Sequence, residues 1–474
     1  MKNNNSLQDA MFLEMRGKTL FEKAKNYGFD FLSEAFDRQA FPTEEALNNL
    51  SKFEEPLPEK TGDGAQIIDQ LQKYGAPAAV PYIGGRYFGF VNGSMIPTSL
   101  AAKNLSIYWD QNAAMNVMAP MAMKLEAVVQ NWLVGLFGFP KETVAGFVSG
   151  TSMANLASLL AARYRLLKNQ GWDVTEQGMF GAPKLRVVTG AEIHSSITKA
   201  ISLAGFGKAN IEWVPCDAQG TIIPEEIPAL DNSTLLVLQA GNVNSGGYDN
   251  FAKIVKKARA AGAWIHIDGA FGLWAGATKR LKHLTLGFEH AHSWAVDGHK
   301  TLNTPYDSGI IFCQDEEALV SALHTQGSYL TLSESHRDGM LYTPEMSKRA
   351  RIIELWAALK YLGKSGVDEM IYEMHERSKQ FAAELSKIEG FQVLNRIDFN
   401  QTVVCCETDA MTEAVMHKAQ ELRECWAGGS TWKGRKVIRI SVCSWATTEE
   451  DVMRSVRSFE RALQLVKKEL VVKV

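Results

Sequence analysis

No stretch of this chain approaches the roughly twenty consecutive apolar residues that a membrane-spanning helix needs, so a transmembrane role is not expected. The opening MKNNNSLQDAMFLEMRGK has neither the apolar middle nor the small-residue cleavage site of a secretory signal. Cysteine is scarce: 6 residues in 474 (Cys216, Cys313, Cys405, Cys406, Cys425 and Cys443), with no CxxC spacing. That usage argues against a disulfide framework and reads as reduced thiols in a cytoplasmic protein. Cys405 and Cys406 are neighbours in an apolar, strand-like run, where successive side chains face opposite ways, so a metal pair is not expected. Excess charge is missing as well. A net charge of -3 gives no basis for nucleic acid or an anionic membrane as partner. There is no GxxxxGK[ST] loop to indicate a nucleoside triphosphate, no internal repeat and no low-complexity tract.

What is present is an ordinary globular composition, 46% hydrophobic and 22% charged. The length suggests two or three domains, or one large domain with a satellite. Residues up to about Glu59 read as amphipathic helix, with Leu20, Ala24, Tyr27 and Phe31 at helical spacing. Glu54–Gly64 reads as a linker, and Ala65–Tyr74 as helix again. Pro77–Pro97 is a loop rich in glycine and aromatics, too apolar for a simple solvated connection. A long helix is expected over Ala119–Phe137.

From Val144 the apolar runs Ala145–Val148, Leu185–Thr189, Ile211–Val214, Leu235–Gln239, Ala263–Ile267, Ser293–Val296 and Ile310–Cys313 alternate with helical stretches. This is the signature of an α/β unit with a mostly parallel sheet covered on both faces. The pattern breaks at Ser328–Thr343, which is polar. Helices are expected at Arg349–Leu362 and Val367–Ile388. A smaller α+β unit follows, with strands near Phe391–Leu394, Thr402–Cys406 and Val437–Val442 and helices at Met411–Arg423 and Glu449–Lys467. The expected divisions are an N-terminal helical segment (1–75), a large domain (76–345) and a small C-terminal domain (346–474).

Four stretches place polar residues at strand exits, where open α/β sheets bind ligands. In FVSGTSMAN a strand gives way to Ser149-Gly150-Thr151-Ser152 and then a helix. Free amides and the positive helix end make a phosphate seat there, and Gly150 lets the backbone come close. In GAEIHSS, His194 opens a helix directly after a strand, where an aromatic ring can stack on a planar cofactor. In AWIHIDGAFG, Asp268 ends an apolar strand. A carboxylate there needs a partner, and a protonated pyridine nitrogen is one; the small Ala270 leaves room for a flat ring. In HSWAVDGHKTLNTPYDSG, Lys300 leaves a buried strand beside Asp297 and His299, as a candidate nucleophile toward a carbonyl.

Together these motifs resemble the group II pyridoxal-phosphate-dependent amino-acid decarboxylases, of the aspartate aminotransferase fold (fold type I). The resemblance rests on Gly298-His299-Lys300, on the HxDxA of His266–Ala270, on His194 and on the turn-helix of Ser149–Asn155, in the family's order, and runs from about Tyr87 to the C-terminus. It implies a seven-stranded mixed sheet, pyridoxal 5'-phosphate as cofactor and decarboxylation of an L-amino acid to the amine. Other outcomes of the same fold, such as transamination, aldehyde formation or carbon–carbon cleavage, are the alternatives. By resemblance, Lys300 is the Schiff-base lysine, Asp268 pairs with the ring nitrogen, and His194 stacks over the ring and orients the scissile carboxylate. Gly150, Thr151, Ser152 and His299 fall at the phosphate, and Asn242 and Asp297 near the cofactor. Arg439 matches an arginine that reaches the active site in some members. Val91 and Asn92 lie in the substrate-side loop Tyr87–Pro97, which with Tyr108–Ala114 lies near the dimer interface in that family. The resemblance therefore also implies a homodimer with shared active sites. The chain departs from the family at Asp297, where members usually carry asparagine, and in the lid expected over Ser335–Thr343. Members carry a proton-donating tyrosine on such a loop; here Gly339 lies nearer that position than Tyr342.

Overall fold

The computed structural model describes residues 6–472 apart from 325–329, 331 and 334, so part of the expected break at Ser328–Thr343 lies outside the described residues. Two amphipathic helices lead the chain, α1 (Leu7–Gly17) and α2 (Thr19–Glu34). Ser6 starts α1 with a capping box: its hydroxyl accepts from the Asp9 amide and the Asp9 carboxylate accepts from the Ser6 amide. Neither helix buries a residue within the chain. Short α3 (Glu44–Asn48) and α4 (Gly64–Gln70) follow, then α5 (Pro97–Ser106) and α6 (Pro120–Phe137). Both α5 and α6 open on proline, whose missing N–H is harmless at a first helical position. Gly138, at φ 73, ends α6.

The large sheet has seven strands: β1 (Val144–Val148), β2 (Arg186–Gly190), β3 (Ile211–Val214), β4 (Thr234–Gln239), β5 (Trp264–Asp268), β6 (Ser293–Asp297) and β7 (Gly309–Cys313). Their spatial order is β1-β7-β6-β5-β4-β2-β3, and β7 alone runs against its neighbours. Helices α7 (Thr151–Lys168), α8 (Val174–Gln177), α9 (Ser195–Leu203), α10 (Phe251–Ala260) and α11 (Glu316–Leu323) fill the connections. Strands covered on both faces read as continuous apolar runs, and β4, TLLVLQ, is buried at every position. One core cluster packs Phe137, Phe139, Trp274 and Trp294 against the sheet, with the Phe139 and Trp294 rings stacked 4.1 Å apart. A second cluster is built on α7 and α9. Because β1 to β6 all run the same way, Val148, Gly190, Gln239, Asp268 and Asp297 end at one edge, and β7 begins there at Gly309.

The two helices expected beyond Arg349 are both present within Ile352–Leu385 (α12), parted by a kink at Gly363 (φ 57, ψ -173). The second sheet is antiparallel, in the order β10-β11-β9-β8, from β8 (Gln392–Val393), β9 (Gln401–Cys405), β10 (Gly428–Trp432) and β11 (Arg435–Ser441). Helices α13 (Asp409–Leu422) and α14 (Glu449–Val472) complete it. The β10 strand has no counterpart in the sequence reading, because its GGSTW carries no alternating apolar pattern.

The segment expected to be a mobile lid makes several contacts with the body of the fold. Asp338 is buried and accepts from the Asn116 and Ser333 amides, each at 2.6 Å. Arg337 donates to buried Glu126 at 2.8 Å, to Gln130 at 2.9 Å and to the Ala145 carbonyl, and lies 3.9 Å over the Tyr342 ring. Lys348, buried, stands 3.5 Å from the same Glu126. Removing one partner of such a buried network strands the remaining charge, at a cost of about 3–5 kcal/mol.

Candidate active site

The shared strand edge collects the acidic and basic side chains. Asp297, 2% exposed, ends β6. Its Oδ1 accepts from the Thr151 amide at 2.6 Å, and its Oδ2 stands 3.0 Å from Lys300 Nζ and 3.5 Å from His299 Nε2. Burial by itself would raise the Asp297 pKa, but Lys300, His299 and the Thr151 bond outweigh it and hold the carboxyl below its ordinary value. His299 Nδ1 accepts from the Ser308 amide at 3.0 Å, which leaves the ring proton on Nε2, toward Asp297. Burial pushes the His299 pKa down.

Asp268 ends β5 next door and is 5% exposed. Among the described residues, one hydrogen bond reaches its carboxylate, from the Ala270 amide at 3.2 Å. Burial raises its pKa, while the charges of His194 and Lys300 pull the other way. His194 caps α9: its Nδ1 accepts from the Ser196 amide at 3.2 Å, which fixes the ring. The ring is open at its surface yet crowded by its surroundings. Burial lowers its pKa, Asp268 opposes that shift, and Lys300 and Arg439 reinforce it. Arg439, on β11, donates to the Val243 carbonyl at 3.3 Å, and burial lowers its pKa. Lys300, His194, Asp268, Asp297 and Arg439 thus lie within electrostatic reach of one another.

Backbone features shape the floor. Gly93 donates to the His299 carbonyl at 3.2 Å, and a Cβ there would sit 2.1 Å from the Lys300 carbonyl oxygen. A Cβ on Gly309 would meet Gly150 at 2.4 Å. Phe90 and Val91 take left-handed conformations (φ 55 and 60) to turn the chain onto the lysine. Asn92 accepts from the Tyr306 hydroxyl at 2.9 Å, and Tyr306 stacks on His299 with ring centroids 4.3 Å apart.

Two sequence expectations land elsewhere, and a third residue, just past the end of β4, is bonded within the chain. Tyr342 donates to Glu316 at 2.6 Å, beyond the Cys313 end of β7, so it lies at the opposite edge of the sheet from Lys300. Val91 is 1% exposed and packs into the main core rather than presenting a side chain to a ligand. Asn242 spends its amide on the backbone, accepting from Asn244 and Ser245 and donating to Glu192. For two residues the sequence showed no linking role: His266, known only as the first residue of its motif, and Asn303. His266 bonds Ser293 through Nδ1 and Asn155 through Nε2, each at 3.0 Å, joining the β5 and α7 motifs beneath the site. Asn303, at φ 57, donates to the Lys300, Thr301 and Cys443 carbonyls and accepts from the Ser94 and Trp445 amides. The available signal for Asn303 was an asparagine in the turn after the lysine, a residue type that tolerates this conformation.

A pyridoxal phosphate fits these residues. The 18-residue α7 begins at Gly150 with no side-chain cap, and the buried Thr151 hydroxyl has no partner, so an anion is the natural occupant. Ser152 is exposed beside it. Asp268 is a buried acid short of a cation. Residues 48–408 match the pyridoxal-dependent decarboxylase conserved domain. The chain belongs to that family. Among relatives of the family, an acidic amino acid decarboxylase of Mus musculus is 26% identical over 333 residues, 68% of this chain; the match spans only 59% of that protein. An aromatic-L-amino-acid decarboxylase of Bacillus atrophaeus is 22% identical over 425 residues, 85% of this chain and 86% of the relative. Of solved structures, Oryza sativa TDC with PLP and tryptamine superposes with a TM-score of 0.86 at 19% identity, over 98% of this chain and 100% of that one. That likeness establishes the fold, fold type I with a mixed seven-stranded sheet.

Within this family member, burial holds the His266 pKa down at about 3. A histidine depressed in the fold contributes stability above its unfolded value near 6.5 and loses it as pH falls toward the folded value. Unfolding free energy should therefore drop with acid by about 1.4 kcal/mol per pH unit from this group between roughly pH 6 and 4. Denaturant titrations of wild type and His266→Asn should show the gap between them narrowing at that rate; a constant gap would mean His266 is charged in the fold.

Proposed function

We propose that this chain is a pyridoxal-phosphate-dependent amino-acid decarboxylase. The observation that carries the reading is the meeting of Lys300, Asp268 and His194 at one strand edge beside the N-terminus of α7. When bound, the cofactor supplies an electron sink for the pair left when a bond to the substrate Cα breaks. Lys300 holds it through its amine. Asp268 keeps the ring nitrogen protonated, and so completes its own charge pairing. The α7 N-terminus, Gly150, Thr151, Ser152 and His299 hold the phosphate, with Asp297 next to them, and Ala270 leaves room for the ring. His194 covers the ring and stands against the carboxylate that leaves. Arg439 is the arginine free to meet a substrate carboxylate, because Arg86 is committed to Asp451, at 3.1 Å, and to three backbone carbonyls. Asn92 lines the substrate side.

Incubated with pyridoxal phosphate and a panel of L-amino acids, the protein should release carbon dioxide and the matching amine from at least one, and Lys300→Ala should lose this by more than a thousandfold. Aldehyde or keto acid in place of amine would establish the second reading, another fold type I reaction.

We also propose a homodimer of a cytoplasmic protein. The cysteines are all unpaired. Among the described residues no helix is long and apolar enough to cross a membrane. Leu105, Ile107, Tyr108, Trp109, Val117 and Met118 are exposed, in a stretch beside the substrate-side loop. So much apolar surface in one place marks an interface, and a second copy would bring these residues close to the site. Light scattering should give twice the chain mass, and a stable, active monomer would contradict the assignment.

A further inference from the structure

The anion seat at the start of α7 is already taken by the protein's own carboxylate. The Thr151 amide, first in the helix, donates to Asp297 Oδ1 at 2.6 Å. The other oxygen of that carboxylate is 3.0 Å from Lys300 Nζ. A Cβ added to Gly150, the residue before the helix, would lie 3.6 Å from Asp297 Oδ1 and 3.3 Å from the His299 ring, so about a methyl group's room and no more separates these groups. The buried hydroxyl of the same Thr151 has no partner among the described residues. The contacts that a phosphate ester and a lysine-bound aldehyde need are therefore the contacts Asp297 holds.

We propose that Asp297 competes with the cofactor for its own site: loading displaces the carboxylate from the α7 N-terminus and from Lys300, and a proton is taken up on that carboxylate. The proposal rests on the pyridoxal reading. The charge count drives it. Before loading, the carboxylate has the Lys300 ammonium as counter-ion. Loading consumes that amine in a carbon–nitrogen double bond: two of the ammonium protons leave with the aldehyde oxygen as water, the third is set free, and a phosphate dianion is placed next to the carboxylate. Two anions with so little solvent between them repel strongly. The groups facing Asp297 do not relieve this. His299, on its own turn, is neutral with its one ring proton on Nε2; Asp268 and His194 on β5 and α9 face the ring end, where Asp268 is itself an acid; Tyr306 and Cys443 are neutral. The α7 amide that paired with the carboxylate now serves the phosphate. The proton that the Lys300 ammonium gives up restores the balance by passing to the carboxylate, 3.0 Å away. Asparagine, which the family usually carries at this position, needs none.

The test is titration of the cofactor-free protein with pyridoxal phosphate and, separately, with pyridoxal, followed by the absorbance of the lysine adduct and by calorimetry in two buffers of different ionisation enthalpy. For Asp297→Asn we expect affinity for pyridoxal phosphate at least tenfold above wild type, a gain larger than that for pyridoxal, and about one more proton released on binding. A thermal melt of each cofactor-free protein checks that the substitution leaves the fold intact. Equal or weaker affinity in the variant, or equal proton counts, would overturn the proposal while leaving the pyridoxal reading in place. An adduct band that survives Lys300→Ala, or no band in any protein, would overturn that reading and the proposal with it.

Discussion

Two carboxylates with almost no access to water set the terms for this site. Asp268 and Asp297 end adjacent parallel strands, and a buried carboxylate is tolerated only when paired. Asp297 meets that condition within the chain, through Lys300, His299 and the Thr151 amide. Asp268 does not: it has one amide at 3.2 Å and the more distant charges of His194 and Lys300. The neighbouring strand ends therefore differ in kind. One is an internally neutral pair that must be opened, and the other is an acid waiting for a cation. A ring with a protonated nitrogen at one end and a phosphate at the other matches that asymmetry.

The rest of the fold keeps these ends in register. The apolar strands β4 to β6 leave the acids no freedom along the strand, and Trp274 donates its indole N–H to the Asp297 carbonyl at 2.9 Å from below. Asn303 ties the lysine turn to the substrate-side loop at Ser94 and to the smaller sheet's last connection at Cys443 and Trp445. A shift between the two sheets is thereby transmitted to the backbone of Lys300. His266 and Asn155 do the equivalent work between β5 and α7, with a hydrogen bond between two fully buried side chains.

Much of this was legible in the sequence because strand exits announce themselves: a run of apolar residues followed by an acid, a glycine or a histidine. The seven-strand alternation, the lysine turn and the α7 turn-helix all have that form. What the sequence hid depends on contacts between distant segments. Tyr342 looks like a lid residue in a polar stretch, yet Arg337 reaches Glu126, Gln130 and Ala145 across the fold and fastens the segment, and Glu316 holds the phenol at the far edge. Val91 looks like pocket lining in an apolar loop, but the loop's left-handed turn buries it. Nothing in GGSTW foretold β10, whose pairing with β11 comes from its backbone.

The central claim is that Lys300 is the residue that carries the cofactor. Borohydride reduction of the pyridoxal phosphate-loaded protein, followed by proteolysis and mass mapping, tests it most directly, and Lys348 is a natural competitor because it is a buried lysine whose amine lies at the Phe147 carbonyl, near the site end of β1. The account predicts a single pyridoxyl label on the peptide containing Lys300; a label on Lys348 or on any other lysine would contradict it.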